Sequence, residues 1–296
     1  MWIALALMSA LCLGFYDVMK KLSVTRNDVL TVLMLNTLFG FLLMSPVIVS
    51  GFTRGYWGLG GTPDGHLLIL VKALIVLSSW ILGYFAIKHL PLTIQGPVNA
   101  SRPVMVLLGA VLIFGEQLNA LQWTGMLLGF LSLALISRIG AGEGFSLRSS
   151  RWLWMAIGAA VLGAVSALYD KYLLRRFEPL EVQAWYSLYQ CIIMTAVIMI
   201  IRRGKPRSAG ADRFVWRWTI PLIAVFLTVA DMAYFYALSL PGSMIAVVSM
   251  IRRGSVLVPF LYGVTVLHER NVRRKAADLA ILFISLALLV AGSALK

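Results

Sequence analysis

Apolar segments about 20 residues long follow one another along this chain, and they restrict its fold more than any other feature. The chain has 296 residues, 60% of them hydrophobic. A helix rises about 1.5 Å per residue, so each segment is long enough to cross a hydrocarbon core about 30 Å thick. Because lipid cannot satisfy backbone polar groups, such segments are expected to be helices.

The pattern predicts an all-α polytopic membrane protein of the inner or plasma membrane, with ten transmembrane helices. The predicted spans are about 2–20, 29–50, 66–87, 94–114, 118–138, 152–174, 181–201, 217–238, 243–267 and 275–295.

The net charge of +14 does not indicate nucleic-acid binding, because most basic residues lie between the apolar segments. Cys12 and Cys191 lie inside apolar segments, which argues against a disulfide framework. His66, His89 and His268 lie near span ends without metal-ligand spacing, and the spans contain no nucleophile motif. We therefore expect no enzyme activity, no metal site and no cofactor.

The two halves of the chain repeat each other, which divides it into residues 1–140 and 151–296. The matched pairs are Tyr16-Asp17 with Tyr169-Asp170, Tyr84-Phe85 with Tyr234-Phe235, Leu90-Pro91 with Leu240-Pro241, and the segment 130–136 with 283–289. All pairs keep their order at an offset of 150 or 153 residues. Each half has an odd number of spans, so the second half enters the membrane in the opposite sense. The prediction is an inverted repeat, an architecture whose substrate sites lie near the membrane midplane.

Basic residues predict the orientation of the chain. The connections after odd-numbered spans hold seventeen Lys and Arg, six of them between Arg202 and Arg217, whereas the opposite side holds five. The positive-inside rule therefore places both termini outside the cytoplasm, together with the glycine-rich connection 51–65.

With five spans in each half, Gly115-Glu116-Gln117 and His268-Glu269-Arg270 precede the last span of each half. In this respect the whole chain resembles the EamA family of the drug/metabolite transporter superfamily. The resemblance implies a ten-helix basket whose central cavity is lined by helices one, three, four, six, eight and nine. It also implies transport of small metabolites such as amino acids, nucleotide sugars, phosphorylated sugars or drugs. Many members of the family have cytoplasmic termini, which differs from the charge count here.

Arg252 and Arg253 lie near the middle of the predicted ninth span. An arginine at such a depth costs about 2.5–3.5 kcal/mol on insertion scales. No acidic residue lies between Asp231 and Glu269 to offset this cost. The two arginines either pair with carboxylates or carbonyls of other helices, or face a water-filled cavity and bind an anion; we favour the second.

Arg102 lies at the position of the fourth span that corresponds to Arg252 in the repeat, between Pro97 and Pro103. Those prolines should weaken the helix and leave carbonyl groups unpaired. The pattern resembles organic-phosphate exchangers of the same superfamily, which have basic residues on helix four and an adjacent basic pair on helix nine. The arginine fork suits bidentate binding of phosphate or carboxylate.

Other charged residues within or near the spans allow two interpretations each. Lys72 either contributes to the substrate site or, as its depth favours, extends to the interface. Asp231, the one acidic residue found in mid-span, either pairs with an arginine or couples transport to protons. Asp17 and Asp170 lie close to lysines near span ends, where anchoring salt bridges are the default. The remaining candidates for lining the cavity are Trp80, Tyr84, Asn99 and Tyr234.

Three arginines against a single carboxylate predict a site with excess positive charge. We therefore expect a secondary transporter that moves a small phosphorylated or carboxylated metabolite by alternating access. The expected partners are this metabolite and the lipid bilayer, with no nucleic acid, and a monomer is the expected form. The alternatives are an exporter of amino acids or drugs, and a flippase of a lipid-linked phosphate.

Overall fold

The computed structural model describes residues 1–53, 63–89, 92–139, 151–203, 213–258, 261–262 and 272–294, which contain helices and no strand. The helices are α1 (Trp2–Val24), α2 (Val29–Thr53), α3 (Pro63–His89), α4 (Leu92–Phe114), α5 (Ala120–Ile139), α6 (Arg151–Leu173), α7 (Pro179–Arg203), α8 (Thr219–Ser239), α9 (Ile245–Arg253) and α10 (Val272–Ala294). Most of the connections 51–65 and 202–217, and Glu269, lie outside the described residues.

The fold is the predicted all-α polytopic membrane architecture. Six helices in the described ranges, α1, α2, α3, α6, α7 and α8, contain segments long and apolar enough to cross a membrane by themselves. Large apolar side chains point outward from the bundle, for example Leu112 at 81%, Trp154 at 71% and Ile200 at 71% exposure. Such exposure suits a lipid-facing surface, because lipid tails are as apolar as these side chains.

Helix pairing follows the predicted repeat. In the repeat, helices α1 to α5 are equivalent to α6 to α10 in the same order. When each helix is replaced by its equivalent, the packed pair α1–α8 becomes α3–α6, α1–α9 becomes α4–α6, and α2–α8 becomes α3–α7. The pairs α2–α7, α4–α9 and α5–α10 each map onto themselves. This exchange is the relation expected of a pseudo-twofold axis between two inverted halves.

The ninth segment contains a local change of helix type that the sequence did not predict. Helix α9 ends at Arg253 and is followed by a 3₁₀ turn, Gly254–Val256, after which helical backbone resumes at 257–258 and 261–262. Arg252 and Arg253 therefore lie directly before this turn. In contrast, α4 remains helical through Pro97 and Pro103.

Glycines allow two close contacts between helices. A Cβ atom on Gly14 would lie 2.6 Å from the carbonyl oxygen of Ser255, so α1 packs directly on the 3₁₀ turn. A Cβ atom on Gly125 would lie 2.9 Å from the carbonyl oxygen of Ser285, which brings α5 and α10 together. Small residues at such interfaces are typical of membrane helix packing. The first contact holds the turn that directly follows the arginine pair.

Candidate functional site

A cavity of about 390 Å³ lies between the two halves. Its lining comes from α1, α3, α4, α6, α8, α9 and the 3₁₀ turn, with Tyr186 added from α7. This set agrees with the helices that the family resemblance implied. The lining includes Arg102, Arg252, Arg253, Lys72, Trp80, Tyr234 and Asp231 of the predicted site residues. The structure therefore brings together residues that lie up to 181 positions apart in the chain.

Ionisable side chains form a large part of the described lining. The basic ones are Lys20, Lys72, Arg102, Arg252 and Arg253, and the acidic ones are Asp17, Asp170 and Asp231. Five positive groups against three negative groups leave a formal excess of two positive charges. The sequence had suggested three arginines against one carboxylate. The structure adds two lysines and two further carboxylates to this set, and the excess of positive charge remains.

Arg252 forms an ion pair with Asp231. Its Nη2 atom donates to Oδ1 of Asp231 at 3.0 Å, and both side chains are less than one-fifth exposed. The guanidinium carbon also lies 4.0 Å from the centre of the Tyr234 ring, which adds a cation–π contact. The charge partnership that the sequence offered for Asp231 is thus present in the geometry, and Asp231 and Tyr234 both contact Arg252.

Arg102 has a different environment. Its Nη2 atom donates to the carbonyl oxygen of Ala159 at 3.3 Å, and its Nε atom is buried without a hydrogen-bond partner. Within the described ranges, no carboxylate lies in ion-pair distance of it. Gly163 creates the space for this side chain, because a Cβ atom there would lie 2.5 Å from the guanidinium carbon. Arg102 therefore carries a positive charge that neutral groups alone hold in place.

Arg253 lies close enough to Arg102 and Arg252 for mutual repulsion, and Asp17 supplies an opposing charge. In the part of the chain that the structure describes, Arg253 forms no ion pair within 4 Å. The three arginines therefore form one electrostatic group in the cavity lining.

Lys72 does not extend to the membrane interface, as its depth in the sequence suggested. It is only 2% exposed and forms an ion pair with Asp170 of α6. Its ammonium nitrogen also lies 4.5 Å from the Tyr186 ring centre and 4.4 Å from that of Phe235. The aromatic faces and the carboxylate hold the charge inside the bundle, so an extended, water-exposed rotamer is not required.

Asp17 and Asp170 were expected to anchor span ends through salt bridges with nearby lysines. Asp170 instead pairs with Lys72 inside the bundle, which corrects that expectation. Asp17 also lines the cavity, where Lys20 and the arginine pair supply opposing charges. Their equivalent positions in the repeat were the one sequence signal that could have identified them. Trp80 lies in the cavity wall as predicted, while the side chains of Tyr84 and Asn99 lie outside the described part of the structure.

Two side chains form hydrogen bonds beside the N-terminus of α9: Glu116 from the first half, and Lys171 from the same half as α9. Glu116, in the turn after α4, accepts hydrogen bonds from the backbone N–H groups of Ile245 at 2.6 Å and Ala246 at 3.1 Å. Lys171 at the end of α6 donates to the carbonyl oxygen of Ser243 at 2.7 Å and to that of Leu238 at 3.2 Å. Because Glu116 is an acceptor at a helix N-terminus, it satisfies backbone donors that the helix leaves unpaired.

Burial raises the pKa of the Glu116 carboxyl above its ordinary value. The two backbone donors and the positive charges of Lys171 and Arg175 act in the opposite direction without cancelling this effect. The turn before α5 thus holds a partly buried carboxyl group that contacts the other half of the protein.

Comparison with known proteins adds three findings. A family model described as the EamA-like transporter family matches residues 1–138 and 150–291. An uncharacterized transporter of Archaeoglobus fulgidus is 23% identical over 291 residues, covering 97% of each chain. A crystal structure described only as that of a protein aligns with a TM-score of 0.66 and 20% identity, over 99% of this chain and 95% of the other. That structure shows a similar fold.

Proposed function

We propose that this chain, which belongs to the EamA-like transporter family, carries a small phosphorylated or carboxylated metabolite across the cell membrane by alternating access. The family and the relative from Archaeoglobus fulgidus make it a membrane transporter. The anionic substrate and its binding by arginine are our proposal.

The observation that carries the proposal is the unbalanced charge around Arg102. Arg252 has Asp231, and Lys72 has Asp170, whereas Arg102 has only the carbonyl oxygen of Ala159 in the described residues. A buried guanidinium without a counter-ion is costly, and an anionic ligand removes that cost. The excess of two positive charges in the lining supports the same ligand class.

The cavity has the size and surface for such a ligand. Its volume of about 390 Å³ lies in the range of small-molecule sites. The planar fork of Arg102 suits a phosphate or carboxylate group, and Trp80 and Tyr234 offer apolar faces to the rest of the molecule. Lys72 remains a candidate for a second contact, because it lines the same cavity.

Alternating access requires that the two ends of this cavity open in turn. In this conformation Glu116 ties the two halves together at the N-terminus of α9, because it accepts from the backbone N–H groups of Ile245 and Ala246. We infer that this contact closes one end, and that it breaks when the substrate is exposed on that side. Movement of one repeat against the other is the usual way in which inverted repeats expose a midplane site.

An uptake screen in proteoliposomes tests the proposal. Phosphorylated, carboxylated and zwitterionic metabolites are compared as substrates and as competitors. We expect an anion to be transported, and Arg102→Ala to lose nearly all uptake while folding as well as the parent. Arg151→Gln, which removes an exposed arginine at the start of α6, is the matched control and should transport normally.

The same screen separates the alternatives. Transport of neutral or zwitterionic amino acids or drugs, with no competition by anions, would contradict the proposal and indicate an exporter of those compounds. Transfer of a lipid-linked phosphate that water-soluble phosphates do not inhibit would indicate a flippase instead. Normal uptake by Arg102→Ala would show that the arginine is structural.

A further inference from the structure

A second, much smaller cavity lies between α2, α7 and α8. Its volume is about 20 Å³, which suits one occupant of the size of a water molecule. The wall is polar: its oxygen-bearing side chains are Asn36, Thr37, Gln183, Tyr186, Ser187, Gln190, Thr228 and Asp231. The proposed transport function does not use this space.

Two amide oxygens at this cavity are buried without a partner. Oδ1 of Asn36 and Oε1 of Gln183 have no hydrogen-bond donor in the described part of the protein. Asn36 is only 5% exposed and Gln183 only 3%. A buried acceptor left unsatisfied is costly, so a native structure normally supplies a partner. The two oxygens therefore indicate an occupant.

The neighbouring groups are also oriented as acceptors. The hydroxyl of Thr37 donates to the carbonyl oxygen of Met34 at 2.8 Å, and that of Ser187 donates to that of Gln183 at 2.8 Å. Because each hydroxyl has one proton, the oxygen atoms face other groups as acceptors only. Tyr186 accepts from Nε2 of Gln190 at 2.6 Å and keeps its own hydroxyl proton, so the lining also contains a donor. The occupant must therefore satisfy the two amide oxygens, either as a cation that they bind or as a group that donates to them.

The charge and size of the cavity narrow the choice of cation. Asp231 is the one carboxylate in its described lining. A single carboxylate offers little charge for a divalent cation such as calcium, whose affinity depends on the number of charged ligands, and magnesium usually keeps several of its waters, for which a water-sized space has no room. A small monovalent cation bound by oxygen atoms satisfies both limits.

We propose that Asn36, Gln183 and Asp231 form a Na⁺ site, and that this ion is coupled to the anion in the large cavity. Asp231 lines both cavities and forms the ion pair with Arg252. Na⁺ next to Asp231 weakens the hold of the carboxylate on Arg252, which frees the guanidinium for the substrate. An anion on Arg252 in turn frees Asp231 for Na⁺.

The coupling must be reciprocal, since each ligand changes the affinity of the other by the same factor. Typical coupling factors are about 5–150-fold. The carrier is then a symporter of Na⁺ and an anion. The ion site itself is independent of the proposed anionic substrate, whereas the coupling rests on it.

Binding of Na⁺ alone provides the test. The purified full-length protein is melted in NaCl, KCl and choline chloride at equal ionic strength, with no organic anion, and binding of radioactive Na⁺ is measured directly. Chloride is constant, so any difference reports the cation. We expect saturable stabilisation and binding in Na⁺ that KCl and choline chloride do not reproduce.

Variants connect this effect to the small cavity. Asn36→Leu and Gln183→Leu should each abolish Na⁺ binding, because each removes a proposed ligand. In choline chloride both variants should melt no lower than the parent, because each also removes an unsatisfied buried oxygen. Gln122→Leu is the matched control: Gln122 is equally buried, but its Oε1 accepts from the N–H of Asn119 at 3.0 Å. It should lose stability and still respond to Na⁺. Arg252→Gln should bind Na⁺ about 5–150-fold more tightly.

Two results would overturn the proposal. One is equal melting and no binding in all three salts, which would mean that the cavity holds only water. The other is Na⁺ binding that persists in both Leu variants, which would place the ion elsewhere. Either result leaves the anion screen untouched, so the failure of one proposal is distinguishable from the failure of the other.

Discussion

Glu116 and Ile245 are joined across the two halves of the protein: Oε1 of Glu116 accepts a hydrogen bond from the backbone N–H of Ile245 at 2.6 Å. The two residues lie 129 positions apart. Because Ile245 begins the helix that carries Arg252 and Arg253, this contact ties the position of the arginines to the turn between α4 and α5. It makes Glu116 the first residue to test.

Glu116→Ala should lower the free energy of unfolding by about 1–2 kcal/mol, a typical cost of losing a helix cap. The backbone donors of Ile245 and Ala246 lose their acceptors in this variant. Glu116→Gln keeps one acceptor oxygen and should lose less. Equilibrium unfolding in mixed detergent micelles measures both variants. Equal stability of Glu116→Ala and the parent would mean that the cap contributes nothing.

The stability of the protein should also depend on pH through Glu116. Burial raises the pKa of this carboxyl above its ordinary 4.5, so the folded state binds the proton more tightly than the unfolded state. The contribution of Glu116 to stability is therefore complete below pH 4.5 and is lost as the pH rises through the raised pKa. The difference in melting temperature between the parent and Glu116→Gln should therefore decrease as the pH rises over that interval. A flat difference would contradict the pKa shift.

Breaking the pair of Lys72 and Asp170 should be strongly destabilising. Lys72→Met or Asp170→Leu alone leaves one charge buried without its partner, which costs about 3–5 kcal/mol. The double variant removes both charges and should recover most of that loss. The unfolding free energies of the parent, the two single variants and the double variant form a double-mutant cycle. Additive losses would show that the pair is not energetically coupled, and transport by the double variant tests Lys72 as a substrate ligand.

Arg102→Lys should keep the charge of the cavity but weaken substrate binding by about 1–3 kcal/mol. Lysine lacks the planar fork that binds phosphate or carboxylate through two hydrogen bonds. Competition by the best anion of the uptake screen gives the affinity. Unchanged affinity would mean that Arg102 contributes only its charge.

Gly163→Ala should displace Arg102 without removing it. The new Cβ atom would lie 2.5 Å from the guanidinium carbon, and the flexible end of the arginine must move. We expect substrate affinity to fall about tenfold or more, a loss of about 1.4 kcal/mol in binding, with little change in melting temperature. Gly158→Ala on the same helix is the control, because its Cβ atom would meet only Leu82, at 3.3 Å. Equal affinities of the two variants would contradict this role of Gly163.

The predicted orientation is testable by cysteine labelling. Seventeen basic residues against five predict that position 207 faces the cytoplasm and position 60 the exterior. Both lie outside the described residues, so the charge pattern is the basis of this prediction. In a cysteine-free background, Gly60→Cys should react with an impermeant reagent in sealed cells and Arg207→Cys should not. The reverse pattern would invert the orientation and leave the fold unchanged.

The sequence by itself determined the architecture. The length of its apolar segments requires membrane-spanning helices, because lipid leaves the backbone no other partner. The offset of 153 residues between Tyr16-Asp17 and Tyr169-Asp170, with five spans between them, requires two inverted halves. The rarity of charge in such segments also predicted that Arg102, Arg252 and Arg253 share one site, and all three line the same cavity.

Only the tertiary structure decided which charges face each other. Lys72 meets Asp170, 98 positions away, and the α-helix changes to a 3₁₀ turn after Arg253 and not at the prolines of α4. Long helices such as α2 and α3 are apolar on nearly every side, because both lipid and neighbouring helices favour apolar contacts. The sequence pattern therefore does not indicate which face of a helix points inward. That face is set by the rotation and depth at which each helix packs, and contacts between distant segments determine both.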